Sequence, residues 1–236
     1  LEPLYLRVVA RLYADVITES RSTAQDLRRH GFKKNKVAIF DIGMHTKPVG
    51  KLVQNPGNRI LFFGALRPMK RPLDAVKAFE VARDTLPNLT LDMAGNDHGP
   101  YAERVRRYVQ DSRHAAAITL HGSVSEEIKL QLMQEATLQL VTSIKEGWGL
   151  IITEANSQGT PVIAYDVDGV RDSIDSAKTG ILVKNGDFRQ LGKSIVSSVS
   201  NPKELNTLRE AAWQNSKKYT FRNSFESFAA AIGIKR

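Results

Sequence analysis

From Asn58 onward short apolar runs alternate with amphipathic stretches, and this alternation constrains the fold more than any other feature of the chain. A short run that is apolar throughout suits a strand buried on both faces, and helical periodicity between such runs implies a parallel sheet wound with crossover helices. The pattern predicts strands at 59–63, 89–94, 118–121, 138–142, 161–165 and 181–183. Helices are expected between them at 72–85, 100–111, 125–135, 150–158 and 170–173, with 188–200 after the last strand. Pro72 suits a first helical turn, and Ser123 with Glu126 reads as a capping box opening the 125–135 helix.

Residues 1–50 do not join that unit. A helix over 4–13, a strand over 15–18, a helix over 22–30 stopped by Gly31 and a strand over 36–40 read as the closing part of a preceding α/β domain. The stretch 43–57, with two prolines, three glycines and little periodicity, reads as an interdomain linker. Two helices end the chain, one over 202–217 and one starting near Thr220. The second presents Phe221, Phe225, Phe228, Ala229 and Ile232 on one face, which calls for a partner. Leu1 is not a start methionine, so the chain reads as part of a longer protein.

No apolar run approaches the length of a membrane span, and no secretory signal opens the chain. Zero cysteines exclude disulfides and thiolate catalysis, and suit a reducing cytosol. The net charge of +9 calls for an anionic partner. Arg28, Arg29, Lys33, Lys34 and Lys36 crowd one connection, where they read as a solvated helix end complementing the dipole. Arg67, Lys70 and Arg71 crowd another. No aromatic residues interleave with the basic ones on a single segment in the way a stacking platform for single-stranded nucleic acid needs.

Lys145-Glu146-Gly147-Trp148-Gly149-Leu150-Ile151-Ile152-Thr153-Glu154 sets two carboxylates eight positions apart around a glycine-rich turn that leads into a helix. Gly147 and Gly149 let the backbone approach a ligand closely. The N–H groups of the first helical turn lack intrahelical partners, and the helix dipole favours an anion there. Such a loop suits an anionic nucleotide.

Six ordered pieces then carry a family resemblance. They are Phe62-Phe63-Gly64 followed by Arg67 and Lys70; Leu91-Asp92-Met93-Ala94-Gly95; His121-Gly122-Ser123-Val124-Ser125; Glu146 through Glu154; Gly159-Thr160-Pro161-Val162-Ile163-Ala164; and Lys178-Thr179-Gly180-Ile181-Leu182-Val183. From Arg59 to about Ser200 the chain resembles the C-terminal, donor-binding domain of a family 4 retaining glycosyltransferase of the GT-B fold. The fold this implies is α/β, a Rossmann-like parallel sheet with helices on both faces, preceded by the C-terminal remnant of a second Rossmann-like domain. The resemblance divides the chain into that remnant of the acceptor-binding domain (1–50), the nucleotide-sugar domain (51–218) and a C-terminal helix (219–236) packing back on the first.

The resemblance also implies roles. Glu154 accepts hydrogen bonds from the two ribose hydroxyls of a nucleoside-diphosphate sugar, and Glu146 contacts the transferred sugar near its reacting carbon. The N–H groups of Gly147, Trp148, Gly149 and Leu150 meet sugar hydroxyls and diphosphate oxygens. Lys70 and Arg67 stabilise the departing diphosphate as fixed positive charge, with no metal or other cofactor. Gly64 and Gly95 give the donor room at the carboxyl end of the sheet, and Ser123 and Val124 contact the base through main-chain atoms while Ser123 caps the next helix. Two positions depart from the family. Ala65 stands where an arginine usually follows the glycine, leaving Arg67 to reach the diphosphate from another backbone position. Asp168-Gly169 replaces a glycine pair.

The Asp166-Val167-Asp168 pattern, which elsewhere binds metal, reads instead as a strand-end turn. His30, His45, His98, His114 and His121 show no metal-ligand spacing. The expectation is therefore transfer of a sugar from a UDP- or GDP-sugar to a glycan or lipid-linked sugar acceptor. Peripheral membrane association at the cytoplasmic face is expected, and no nucleic acid. The isolated 236 residues are expected to bind donor weakly without transferring sugar. A GT-B epimerase, which isomerises the donor without an acceptor, and a non-catalytic nucleotide-sugar-binding subunit remain alternatives.

Overall fold

The computed structural model describes residues 5–6, 8–10, 15–52 and 57–234. Of the helix expected over 4–13, residues 5–6 and 8–10 are described, and they are helical. Strand β1 (Val16–Thr18), helix α1 (Arg21–Arg29) and strand β2 (Val37–Ile39) follow, and β1 pairs with β2 in parallel. Ala24, Phe32 and Val37 form a small core of their own, which two three-residue strands alone would not hold.

The main sheet has six parallel strands, β3 (Arg59–Phe63), β4 (Thr90–Ala94), β5 (Ile118–Gly122), β6 (Leu138–Val141), β7 (Val162–Tyr165) and β8 (Gly180–Val183), in spatial order β5-β4-β3-β6-β7-β8. Helices α2 (Pro72–Arg83), α3 (Pro100–Gln110), α4 (Glu126–Glu135), α5 (Leu150–Ser157), α6 (Val170–Ser173), α7 (Phe188–Val199), α8 (Pro202–Ser216) and α9 (Phe221–Ala231) complete the chain. Helix α7 packs on α2, and α8 packs on α5. Residues of α7 and α2 approach so closely that a Cβ at Gly192 would lie 2.7 Å from Ala78 O. One core runs through the sheet, with Ile60, Leu61, Leu91, Leu138, Leu140, Val162 and Ile163 at 0% exposure. Strands buried on both faces explain why the sequence shows unbroken apolar runs here.

The strand order reverses between β3 and β6. In open α/β sheets ligands bind outside the carboxyl ends of the strands at such a reversal. The β3–α2 and β6–α5 connections, which carry Gly64 through Lys70 and Glu146 through Leu150, both leave the sheet there.

One local reading is corrected. Ser125, not Ser123, caps α4: its Oγ accepts from Ile128 N at 3.3 Å, and the helix begins at Glu126. Gly122 at φ 66° prolongs β5 and its turn, which moves the helix start beyond reach of Ser123. A 3₁₀ turn over Pro68–Lys70, unforeseen in the sequence, precedes α2. The stretch expected as a linker has no regular secondary structure over its described residues but is strapped down. Val49 N donates to Ser157 O at 2.9 Å, Gln158 Nε2 to Lys47 O at 3.0 Å and Trp213 Nε1 to Val49 O at 3.0 Å.

Candidate active site

The two connections at the strand reversal are stitched together. Thr142 Oγ1, just past β6, donates to the carbonyls of Lys70 at 2.7 Å and Arg71 at 3.0 Å, and Ile144 N donates to Met69 O at 2.9 Å. Arg71 accepts this geometry in the left-handed region at φ 45°, a conformation that costs a non-glycine residue about 1–3 kcal/mol. The same guanidinium donates to Asn185 Oδ1 at 2.6 Å and lies 5.9 Å from the Tyr165 ring centroid. Lys70 is thereby aimed across the reversal.

Its ammonium pairs directly with Glu146 Oε1, and both side chains are largely shielded from solvent. Ser143 Oγ donates to the same carboxylate oxygen at 2.5 Å. The turn carrying Glu146 is fixed from beneath, because Glu146 N donates to Asp168 O at 3.0 Å. A Cβ on Gly169 would lie 2.1 Å from Glu146 O, so only glycine fits under the turn. Asp168-Gly169 thus serves as the seat of the Glu146 turn, and the two aspartates of Asp166-Val167-Asp168 are each bound by Arg171 at 2.7 Å.

Gly149, at φ 83°, precedes α5 and gives it no side-chain cap. The N–H groups of Gly147, Trp148, Gly149 and Leu150 have no acceptor among the described residues. They sit at the positive end of a helix beside a lysine, an arrangement suited to anionic oxygens. The Trp148 ring turns away: its Nε1 donates to Thr153 Oγ1 at 3.1 Å, and it packs edge-on against Tyr219 at 5.6 Å.

Glu154 lies one helical turn further, half-buried. Lys129 Nζ is 3.2 Å from its Oε1, and Thr46 Oγ1 donates to that oxygen at 3.4 Å. Neither partner stands out in the sequence. Lys129 looks there like the surface half of an i,i+3 pair with Glu126, and Thr46 lies in what reads as a linker.

The remaining candidates divide. Arg67 is exposed, and its side chain has no hydrogen bond or ion pair with a described residue, so it stays apart from the Lys70–Glu146 pair. At Gly64 an added Cβ would make only ordinary van der Waals contacts, 3.6 Å from the Phe62 ring and 3.8 Å from Lys70 Cγ. At Gly95, with φ 134°, an added Cβ would lie 2.4 Å from Gly64 O, so the missing side chain lets the connections after β3 and β4 come together. Ser123 is exposed and Val124 half-buried against the core, both at the end of β5. His121 and Arg59 both bind Asp92, at 2.6 and 3.2 Å, and His114 binds Asp84 at 3.0 Å. Among the described residues no group of three or more His, Cys, Asp or Glu side chains is arranged to hold a metal ion.

Comparisons with known proteins bear on the family and the fold. Residues 46–215 match the family described as glycosyl transferases group 1. The chain is 28% identical over 190 residues to the poly(glycerol-phosphate) alpha-glucosyltransferase of Bacillus subtilis, covering 79% of this chain and 28% of that protein. It is 25% identical over 187 residues to a D-inositol 3-phosphate glycosyltransferase of Paenarthrobacter aurescens, covering 75% and 46%. The chain therefore spans less than half the length of these two relatives. Among solved structures, Anabaena HepE in complex with UDP superposes with a TM-score of 0.87 at 17% identity, covering 98% of this chain and 68% of that one. A variant of S. aureus TarM in complex with Fondaparinux, alpha-GlcNAc-glycerol and UDP superposes at 0.81 with 18% identity, covering 95% and 45%. At such identities the likeness establishes the fold, that of the GT-B glycosyltransferases. With the family match running over most of its length, this chain belongs to the glycosyl transferases group 1 family.

Proposed function

We propose that this chain is the donor-binding part of a retaining glycosyltransferase of family 4 that moves a sugar from a UDP- or GDP-sugar to a glycan or lipid-linked acceptor without a metal. The observation that carries the reading is the Lys70–Glu146 pair at the strand reversal, next to four backbone N–H groups without acceptors among the described residues. In the proposed reaction the bond between anomeric carbon and diphosphate oxygen breaks and its electron pair leaves with the diphosphate. The acceptor hydroxyl oxygen then bonds to that carbon and passes its proton to the departing diphosphate oxygen. Charge grows on the diphosphate as the bond breaks, so fixed donors aimed there stabilise the transition state more than the ground state.

Lys70, with the N–H groups of Gly147 through Leu150, supplies that charge in this reading, and Glu146 holds a hydroxyl of the transferred sugar. Glu154 takes the ribose hydroxyls, while Ser123 and Val124 meet the base through their main chain. Arg67, free of partners among the described residues, swings to the diphosphate only when donor is bound. UDP in the HepE and TarM complexes favours a uracil base. The net charge of +9 supports an acceptor at an anionic membrane surface at the cytoplasmic face. We further infer that these residues alone bind donor without transferring it, since they span 28% of the B. subtilis glucosyltransferase.

A thermal-shift screen of nucleoside diphosphates and their sugars tests the reading, because a ligand bound only by the folded state raises the midpoint with its affinity. A rise with UDP or GDP and their sugars, and none with the nucleoside monophosphates at equal concentration, is expected. No rise with any nucleoside diphosphate would overturn the proposal. Sugar transfer by these residues to a glycan acceptor would overturn the narrower statement about the isolated chain.

A further inference from the structure

Glu154 is held by a residue that no part of the donor loop supplies. Lys129 projects from α4, the helix that follows Ser123 and Val124, and its side chain is only 10% exposed. Lysine is seldom buried to this extent without a partner, because an ammonium removed from water loses its hydration. Its i,i+3 partner Glu126, at 2.7 Å, is 64% exposed and could be met at the surface. What draws the ammonium inward is Glu154 Oε1 at 3.2 Å. Thr46 reaches the same oxygen from the strap. Every contact to the Glu154 carboxylate from a described side chain falls on Oε1, which leaves Oε2 for a ligand.

We propose that Lys129 is a positioning residue for ribose recognition: it anchors Glu154 Oε1 and so presents the other oxygen to the ribose hydroxyls. This rests on the reading of Glu154 as the ribose contact. Without Lys129 the carboxylate keeps only the longer Thr46 contact and rotates toward solvent, so the preference for a ribose with both hydroxyls falls. A lysine that served only to pack α4 would affect all nucleotides alike.

The test is calorimetric titration of the whole chain with UDP, 2′-deoxy-UDP and 3′-deoxy-UDP, or the guanine series where the wild-type chain binds GDP instead. Wild type is expected to prefer the ribonucleotide. Lys129→Met is expected to weaken its binding about ten- to hundredfold, as for loss of a charge-assisted hydrogen bond, and the deoxy forms much less. Glu154→Gln gives the same collapse of preference, and the double variant is no worse than Glu154→Gln, since the two act as one unit. Losses that add in the double variant, or a preference unchanged in Lys129→Met, overturn the proposal while leaving Glu154 as the ribose contact. If Lys129→Met does not fold, Lys129→Arg and Lys129→Gln decide: the arginine keeps the preference and the glutamine loses it, and equal behaviour overturns the inference. A wild-type chain that binds no nucleoside diphosphate overturns the functional reading and this inference with it.

Discussion

Three glycines near the site look alike in the sequence, and their surroundings assign them different work. Gly95 and Gly169 each face a backbone carbonyl at 2.4 and 2.1 Å from a would-be Cβ, whereas Gly64 meets nothing nearer than 3.6 Å. Gly95→Ala and Gly169→Ala are expected to cost about 2–4 kcal/mol through backbone displacement, measured by urea denaturation. Gly64→Ala is expected to leave stability within about 0.5 kcal/mol, and, if the donor lies against this position as proposed, to weaken nucleotide binding. Tyr165 carries a further prediction. Its ring is fully buried and its hydroxyl donates to Asp74 Oδ2 at 3.0 Å, and burial first, then the Asp74 charge, raise its pKa above the ordinary 10.0. A folded pKa above the unfolded one favours the native state fully below about pH 10, and that contribution is lost as pH rises further. Urea denaturation of wild type should therefore show stability falling between about pH 10 and 11, a fall that Tyr165→Phe reduces. Lys129 marks the limit of legibility at this scale. A lysine three residues from a glutamate on a helix reads as a surface pair, and only the fold brings Glu154 to it.

At the scale of elements, strands and helices were legible because burial on both faces of the sheet writes itself as continuous apolar runs, and prolines mark the starts of α2, α3 and α8. What was not legible was how distant elements hold one another. Asp172, on the short α6, accepts from Arg21 N and Ser22 N, each at 3.1 Å, and from Ser22 Oγ, across 150 residues of sequence or more. A carboxylate there satisfies the unpaired N–H groups of the first turn of α1 and meets the positive end of its dipole. It thereby ties the small β1–β2 sheet to the region beneath the Glu146 turn, and Lys145 adds an ion pair to Asp26 at 3.4 Å. Asp172→Ala is expected to cost about 1–2 kcal/mol, as loss of a helix cap does. Hydrogen exchange should locate the effect: amide protection in α1 falls, while β3 and β6 stay protected. Equal loss of protection in the sheet would mean that Asp172 supports the core instead. The strap over 44–52 escaped the sequence for the same reason. Its bonds join backbone to the Ser157 carbonyl of α5, the Gln158 side chain just past it and the Trp213 side chain of α8, all far along the chain, and proline and glycine content registers only the lack of periodicity.

At the scale of the whole molecule, the parallel order β5-β4-β3-β6-β7-β8 decides where chemistry can occur, since it alone brings the β3–α2 and β6–α5 connections side by side. The fold and the pairing of Lys70 with Glu146 follow from motifs whose order along the chain is visible. Arg67 does not join that pair, so one cation, and not two, faces Glu146 in the free chain. The C-terminal helix α9 crosses to the N-terminal unit, where Phe228 packs edge-on against Phe40 at 5.6 Å and Phe221 against His45 at 4.6 Å, while Phe225 remains 65% exposed. In the proposed reading the strand reversal binds a nucleoside diphosphate between Lys70 and Glu154. The most direct measurement is calorimetric titration of UDP and GDP into wild type, Lys70→Met and Glu154→Gln. Saturable binding of at least one of them to wild type is expected, weakened about tenfold or more by each substitution. Binding that is absent from wild type, or equally strong in both variants, would contradict it.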